Sequence, residues 1–265
     1  MSIEQLVNPA ELNIKNFNIQ TPEKGLLEFD IKPDDWRRME ADAKEVEQTY
    51  HVWERIADLR LIRPESFPNL PNPATNPELS EQISRRVKEV NHVQAQLVFL
   101  DVAASIRQLW PDQWEKFIAR EDLENIALRH WNDALYFDLA TRMKRLLPER
   151  VEVNEEDFTA ITLNIGLSKK LKNWPSLAVD MATLRILFPG RFNIQNIGDN
   201  AWKGMQQDLR AELKGTNLDK AITLARDMAI ISASELKFTN RGLELSPAVQ
   251  KLPELGSRIP EIKKF

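Results

Sequence analysis

The sequence predicts a mainly α protein, a bundle of long helices that ends in a small C-terminal α+β module. Two stretches, 34–62 and 78–109, place an apolar residue every three or four positions, which marks a helix with one buried stripe. Five prolines between them, at 64, 68, 71, 73 and 77, forbid a helix from crossing the gap. After Pro175 the periodic segments shorten and lead into strand-like pieces.

Residues 1–33 read as an arm followed by a strand. Over 26–32, Leu27, Phe29 and Ile31 alternate with Glu28, Asp30 and Lys32, the period of a half-buried strand. The helical body is expected over 34–172. Pro33-Asp34-Asp35 opens its first helix with acids at the positive end of the dipole. Along 34–62, Trp36, Met39, Ala43, Val46, Tyr50, Trp53 and Ala57 form a heptad-like seam, while Arg37, Glu40, Asp42, Lys44, Glu45 and Glu47 cover the other faces. The connector 64–77 is expected to be extended. Leu79, Ile83, Val87, Val90, Val93, Leu97, Leu100 and Ala104 stripe the second helix, so two long helices should pair antiparallel. Trp110-Pro111-Asp112 breaks that helix. Helical pattern resumes over 113–147 on anchors such as Trp114, Ile118, Trp131 and Leu139, and Pro148 ends it. Asn154, followed by Glu155, Glu156 and Asp157, caps a helix to about Leu171.

The last unit spans 173–265. Pro175 suits the first turn of a helix over 176–188, stopped by Pro189-Gly190 and followed by an extended piece from Arg191 to Ile194. A helix over 200–213 turns Trp202, Met205, Leu209 and Leu213 inward and stops at Gly215. Asn217 caps a third, over 218–228, with Leu218, Ala221, Ile222 and Ala225 inward. Ala229 to Ser232 and Glu235 to Thr239 are candidate strands. Three short helices followed by a small sheet resemble the winged-helix superfamily over about 175–252, and Leu236 to Leu245 resembles its common ending, in which a strand leads through Thr239 and Gly242 into a closing helix. The resemblance implies that the third helix enters the DNA major groove and that Lys237 and Arg241 sit at a wing and turn.

Charge supports a division of the chain. The 36 Lys+Arg and 40 Asp+Glu leave a net −4, which excludes a surface coated uniformly for nucleic acid. Residues 201–265 hold 11 bases and 8 acids, a net +3, so the first 200 residues carry −7. The candidate phosphate contacts are Lys203 and Lys214 flanking the second helix, Lys220 and Arg226 on the third, and Lys237 and Arg241 at the wing and turn. The outward face of the third helix also carries Asp219 and Asp227, so its charges cancel, which suits a protein-facing winged helix better than a DNA-reading one.

Catalytic signatures are sparse. With no cysteine, disulfide scaffolds, zinc–cysteine sites and thiol catalysis are excluded. Of the three histidines, His51 pairs with Glu47, His92 with Glu89 and His130 with Asp133 at helical spacing. Only Glu89-x-x-His92 matches the pair that a di-metal bundle uses, and His51 and His92 fall off the apolar stripes. Solvated surface pairs are the simpler reading, and no metal or other cofactor is expected. There is no Gly-x-Ser-x-Gly elbow, and Gly166-Leu167-Ser168-Lys169-Lys170 lacks the second glycine and preceding strand of a phosphate loop. Trp36, Trp53, Trp131 and Trp202 lie on apolar stripes, whereas Trp110, Trp114 and Trp174 sit beside proline breaks as anchors or hinge packing. A ribbon-helix-helix reading of the first strand and helix fails, because about 28 residues follow without a glycine or proline break.

The expected function is therefore a non-enzymatic DNA-associated regulator or complex subunit. Duplex DNA would meet the C-terminal module, and the long helices would dock a protein partner or a second copy. The first alternative is a protein-interaction adaptor without nucleic-acid contact; the second is a metal-dependent helical-bundle enzyme. No basic, apolar leader opens the sequence and no apolar run approaches the ~20 residues of a membrane span, so a cytoplasmic location is expected.

Overall fold

The computed structural model describes residues 31–45, 52–126, 128, 133–216 and 218–246. Among them it is mainly helical, with one two-stranded antiparallel sheet at the C-terminal end. Helices α1 (Pro33–Glu45) and α2 (Val52–Ile62) occupy the stretch where one helix was expected. Arg55 of α2 donates a 2.8 Å hydrogen bond to Asp42 of α1. Thirteen residues of unbroken helix would hold them roughly 20 Å apart. The two helices therefore lie side by side. The seam reads through because each half keeps its own stripe: Trp36, Met39, Ala43 and Ala57 are all buried. Val46 and Tyr50 lie outside the described residues, as does the strand expected over 26–32, apart from Ile31 and Lys32, which belong to no regular element.

The second long helix is also two. Helix α3 (Pro77–Val90) starts on Asn76, whose side chain accepts from the Leu79 amide at 3.1 Å, and ends at Asn91. A 3-10 turn leads into α4 (Gln96–Leu109). Asparagine favours helix ends because its side chain competes for backbone hydrogen bonds, which is the local reason for the break. The 113–147 region holds a 3-10 turn at Trp114–Lys116, then α5 (Arg120–Glu124) and α6 (Asp133–Leu146). Helix α7 (Glu155–Leu171) opens with the expected cap: Asn154 and Asp157 exchange side-chain-to-backbone bonds of 2.9 Å each.

Helices α8 (Trp174–Leu187), α9 (Asp199–Glu212) and α10 (Asp219–Ser232) follow. The extended piece expected at 191–194 is instead a pair of 3-10 turns, Pro189–Arg191 and Ile194–Asn196. The strand expected over Ala229 to Ser232 is the last turn of α10, whose Ile230 and Ile231 continue its buried face. A four-residue apolar run has no period of its own, so neighbours decide it. Strands β1 (Glu235–Thr239) and β2 (Gly242–Ser246) pair antiparallel from Glu235↔Ser246 to Thr239↔Gly242, so a second strand stands where a closing helix was expected to begin after Gly242. The two-residue loop Asn240-Arg241 closes on Gly242, whose φ of +91° suits a residue without a Cβ.

One apolar core runs through the described residues. Helix α8 lies inside it, with every residue from Met181 to Phe188 buried. Helix α10 packs on α8, α2 and α9, while β2 packs on α2, α4 and α6. With only eight glycines in the chain, arginines take over helix-end chemistry. Arg38 of α1 donates to the Leu213 and Gly215 carbonyls beyond α9, at 2.5 and 2.9 Å. Arg185 of α8 donates to those of Ile231 and Ala233 at the end of α10. Arg107 of α4 joins the end of α6, through the Leu146 carbonyl, to the hairpin carbonyls of Thr239 (2.9 Å) and Asn240 (3.3 Å).

Gly204 lets α9 approach α8 closely, since a Cβ there would fall 2.4 Å from the Trp174 indole. Gly204→Ala is expected to destabilise by about 1–3 kcal/mol, as overpacking does. A lowered urea midpoint at unchanged slope checks it.

Candidate functional site

The six cations expected to meet phosphate do not share one surface environment. Lys203 projects from α9, Lys214 lies just past its end, and Lys220 sits in the first turn of α10; all three are exposed. Arg241 is exposed in the hairpin loop. Lys237 is exposed too and reaches Glu235 at 2.9 Å. Arg226 points into the α2–α10 interface, where it meets Asp58 of α2 at 3.0 Å and its neighbour Asp227 at 2.9 Å. Lys203, Gln207 and Arg210 share a face of α9 at helical spacing, and Lys214 follows just past its end.

Arg226 belongs to an interior charge network. Its carboxylate partners come from α2 and α10, and Arg145 and Asp101 add longer-range fields. Burial pulls the pKa of Arg226 down, but Asp227 and Asp58 more than reverse that and hold it above its ordinary value. Burial pushes Asp227 up, opposed by Arg226. Asp101 of α4 accepts a 2.7 Å bond from Arg142 of α6, which also lies 3.6 Å from Asp138. Glu54, one helical turn before Asp58, faces Arg86 of α3 as well as Asp101 and Asp58. Its Oε2 is buried without a hydrogen-bond partner. Burial first, and then the two neighbouring carboxylates, raise Glu54 to about 7 against its own backbone hydrogen bond and the pull of Arg86. Asp180 of α8 is likewise raised to about 6 by burial, although Ser168 donates a 2.8 Å bond to it.

A solvent-open groove of about 510 Å³ runs on the outer side of Arg86. Its apolar wall is Val52, Trp53 and Ile56 of α2, with Trp110 and the connector residues Leu70 and Pro71. The opposite wall is one face of α3: Glu78, Leu79, Gln82, Arg85, Arg86 and Glu89. Trp53 and Trp110 meet edge to face at 6.1 Å, and the Trp110 indole donates to the Pro71 carbonyl at 3.0 Å. Arg86 lies 3.9 Å from Glu89. Arg85 and Glu78 are exposed and make no ion pair among the described residues. The sequence signal for this groove was slight: Trp53 was assigned to the seam, yet it stays half-buried, and Arg85-Arg86 lay beside an apolar stripe without apparent purpose. Trp110 and Trp114 are both buried, each 7 % exposed, so neither is an exposed anchor.

His92 is exposed, while His51 and His130 lie outside the described residues. Among the described residues no group of three or more potential metal ligands comes together, and no helix is long and apolar enough to cross a membrane. No protein-family model, no curated protein and no solved structure matches this chain.

Two outcomes follow from the network. Arg226→Met would leave the buried Asp227 and the half-buried Asp58 without their cation and is expected to destabilise by about 2–4 kcal/mol, whereas adding Asp58→Leu recovers part of that loss. Chemical denaturation of both variants reads the difference. For Glu54 the folded-state value lies above its ordinary 4.5, so the folded protein keeps a proton that the unfolded chain releases between about pH 4.5 and 7. Stability from this group is full below pH 4.5 and declines as pH rises through 7. Glu54→Gln should therefore gain on the wild type by up to about 3 kcal/mol between pH 5 and 8; a gap that does not change with pH would show the carboxyl to be ionised throughout.

Proposed function

We propose that this protein is a protein-interaction adaptor whose docking site is the groove between α2, the proline-rich connector and α3. The observation that carries the reading is the groove itself: 510 Å³, with the half-buried Trp53 on one wall and, on the other, Arg85 and Glu78, which make no ion pair among the described residues. Aromatic residues with arginine are the composition of interaction hot spots. The surroundings of the expected DNA contacts support the same reading. On α10, Ile222, Leu224, Ala225, Met228, Ile230 and Ile231 are buried, and only Lys220 and Thr223 are exposed. That face is narrow for a helix that must present several side chains to a DNA groove. The hairpin turn is held to α4 by Arg107, which suits a structural wing.

A second reading, a DNA-associated protein with a winged-helix-like C-terminal part, is supported by the order α8–α9–α10–β1–β2 and by the Lys203–Arg210 stripe with Lys214 just past its end. It places phosphate on α9 rather than on α10.

Fluorescence anisotropy with a duplex at salt from about 20 to 200 mM separates the two. The adaptor reading expects no binding at low salt. It also expects Arg85→Glu, at an exposed position, to abolish capture of a protein partner that the wild type retains. Binding that weakens with a log–log salt slope of about −2.7, as three neutralised phosphates require, and that disappears in Lys203→Glu/Arg210→Glu/Lys214→Glu would instead establish the second reading.

A further inference from the structure

Two arginines stand side by side at the hairpin without a carboxylate between them. Arg60 lies near the end of α2, half-buried, and Arg241 is exposed in the hairpin loop. Strand β2 packs on α2, which brings the loop to Arg60. Burial first, then the field of Arg241, holds the Arg60 pKa below its ordinary value, and no carboxylate opposes them. Neither side chain has a hydrogen-bond or ion-pair partner among the described residues. The nearest acids along the chain are engaged elsewhere. Arg226 holds Asp58 at 3.0 Å, Arg63 holds Glu65 at 2.6 Å, and Glu244 stands opposite Lys237 in the hairpin register. The loop backbone is pinned. The Arg241 amide donates to the Thr239 hydroxyl at 3.0 Å, and Arg107 donates to the Thr239 and Asn240 carbonyls at 2.9 and 3.3 Å. A Cβ on Gly242 would come within 3.3 Å of Gln108 Oε1, so the loop lies tight on α4. A fixed turn thus presents to α2 a guanidinium that the protein itself does not use.

Like charges held together repel, and an anion placed between them removes the penalty. The chain has 40 acids for 36 bases, yet none of its own carboxylates takes that place among the described residues. We propose that Arg60 and Arg241 form a binding site for a phosphate monoester, seated between the two guanidinium groups. Charge selects this ligand. A monoester carries about −1.5 to −2 at pH 7 and three acceptor oxygens, enough for both cations. A carboxylate or a phosphodiester carries a single charge and leaves one arginine unmatched. Guanidinium forks also bind phosphate oxygens in pairs, so two of them surround one tetrahedral group. The pinned loop lowers the ordering cost of binding. Neither arginine lines the groove between α2 and α3, so the inference stands apart from the adaptor reading.

The test titrates the full chain, at fixed ionic strength, with methyl phosphate, dimethyl phosphate, acetate and a short DNA duplex. Calorimetry reads affinity, and the guanidinium Nε–H resonances of Arg60 and Arg241 read location. Methyl phosphate should bind at least about tenfold more tightly than dimethyl phosphate or acetate, and should weaken as pH falls through about 6, where it takes up its second proton. Arg60→Gln and Arg241→Gln should each weaken it about tenfold. Should Arg60→Gln fail to fold, Arg241→Gln decides alone, because its exposed side chain holds nothing else in place. No binding at about 10 mM, equal affinity for monoester and diester, or unchanged binding in Arg241→Gln overturns the site. A duplex that binds more tightly than methyl phosphate and is lost in Arg241→Gln also overturns it, and makes the pair a nucleic-acid contact.

Discussion

The guanidinium of Arg226, held between Asp58 and Asp227 in the interior, is the constraint on which the arrangement depends. A half-buried arginine is tolerable only when carboxylates replace the water that it gave up, and one partner here comes from a helix 168 residues earlier in the chain. The requirement fixes α10 against α2 in both position and rotation. Arg55 adds a second tie, joining α2 to Asp42 of α1 and to Asp219 at the start of α10. Apolar surface supplies most of the driving force, but it does not choose a register. Paired charges do, because a slipped helix would strand each of them.

Helix α2 is consequently the shared element. One face carries Asp58 towards α10 and, a turn earlier, Glu54 towards α3 and α4, while another offers Trp53 to the groove. Structure and candidate function meet on eleven residues. Arginines that hold helix ends extend the same principle outward. Arg38, Arg107 and Arg185 each satisfy carbonyls that a helix or turn leaves unpaired, and each joins elements distant in sequence. A chain poor in glycine has few left-handed caps available, and long side chains from neighbouring helices take their place.

Much of this was legible from residue patterns. The mainly helical class, the stripes of α3 and α9, the Asn154 cap and the strand over Glu235–Thr239 follow from local periodicity and turn chemistry. The breaks inside 34–62 and 78–109 were hidden because the apolar spacing continues across them, and spacing reports which side is buried, not whether the axis is straight. Arg226 and Asp227 looked like a solvated face, since nothing local distinguishes a surface charge from one whose partner lies on α2. The groove was hidden for a similar reason. Its walls come from α2, the connector and α3, and only tertiary packing sets Trp53 opposite Arg85.

The central claim is that charges shared between α2 and α10 make the earlier helices and the later ones fold as a single unit. Differential scanning calorimetry tests it most directly. The account predicts one transition whose calorimetric and van't Hoff enthalpies agree. Two separable transitions, with α8 to β2 melting apart from α1 to α7, would contradict it.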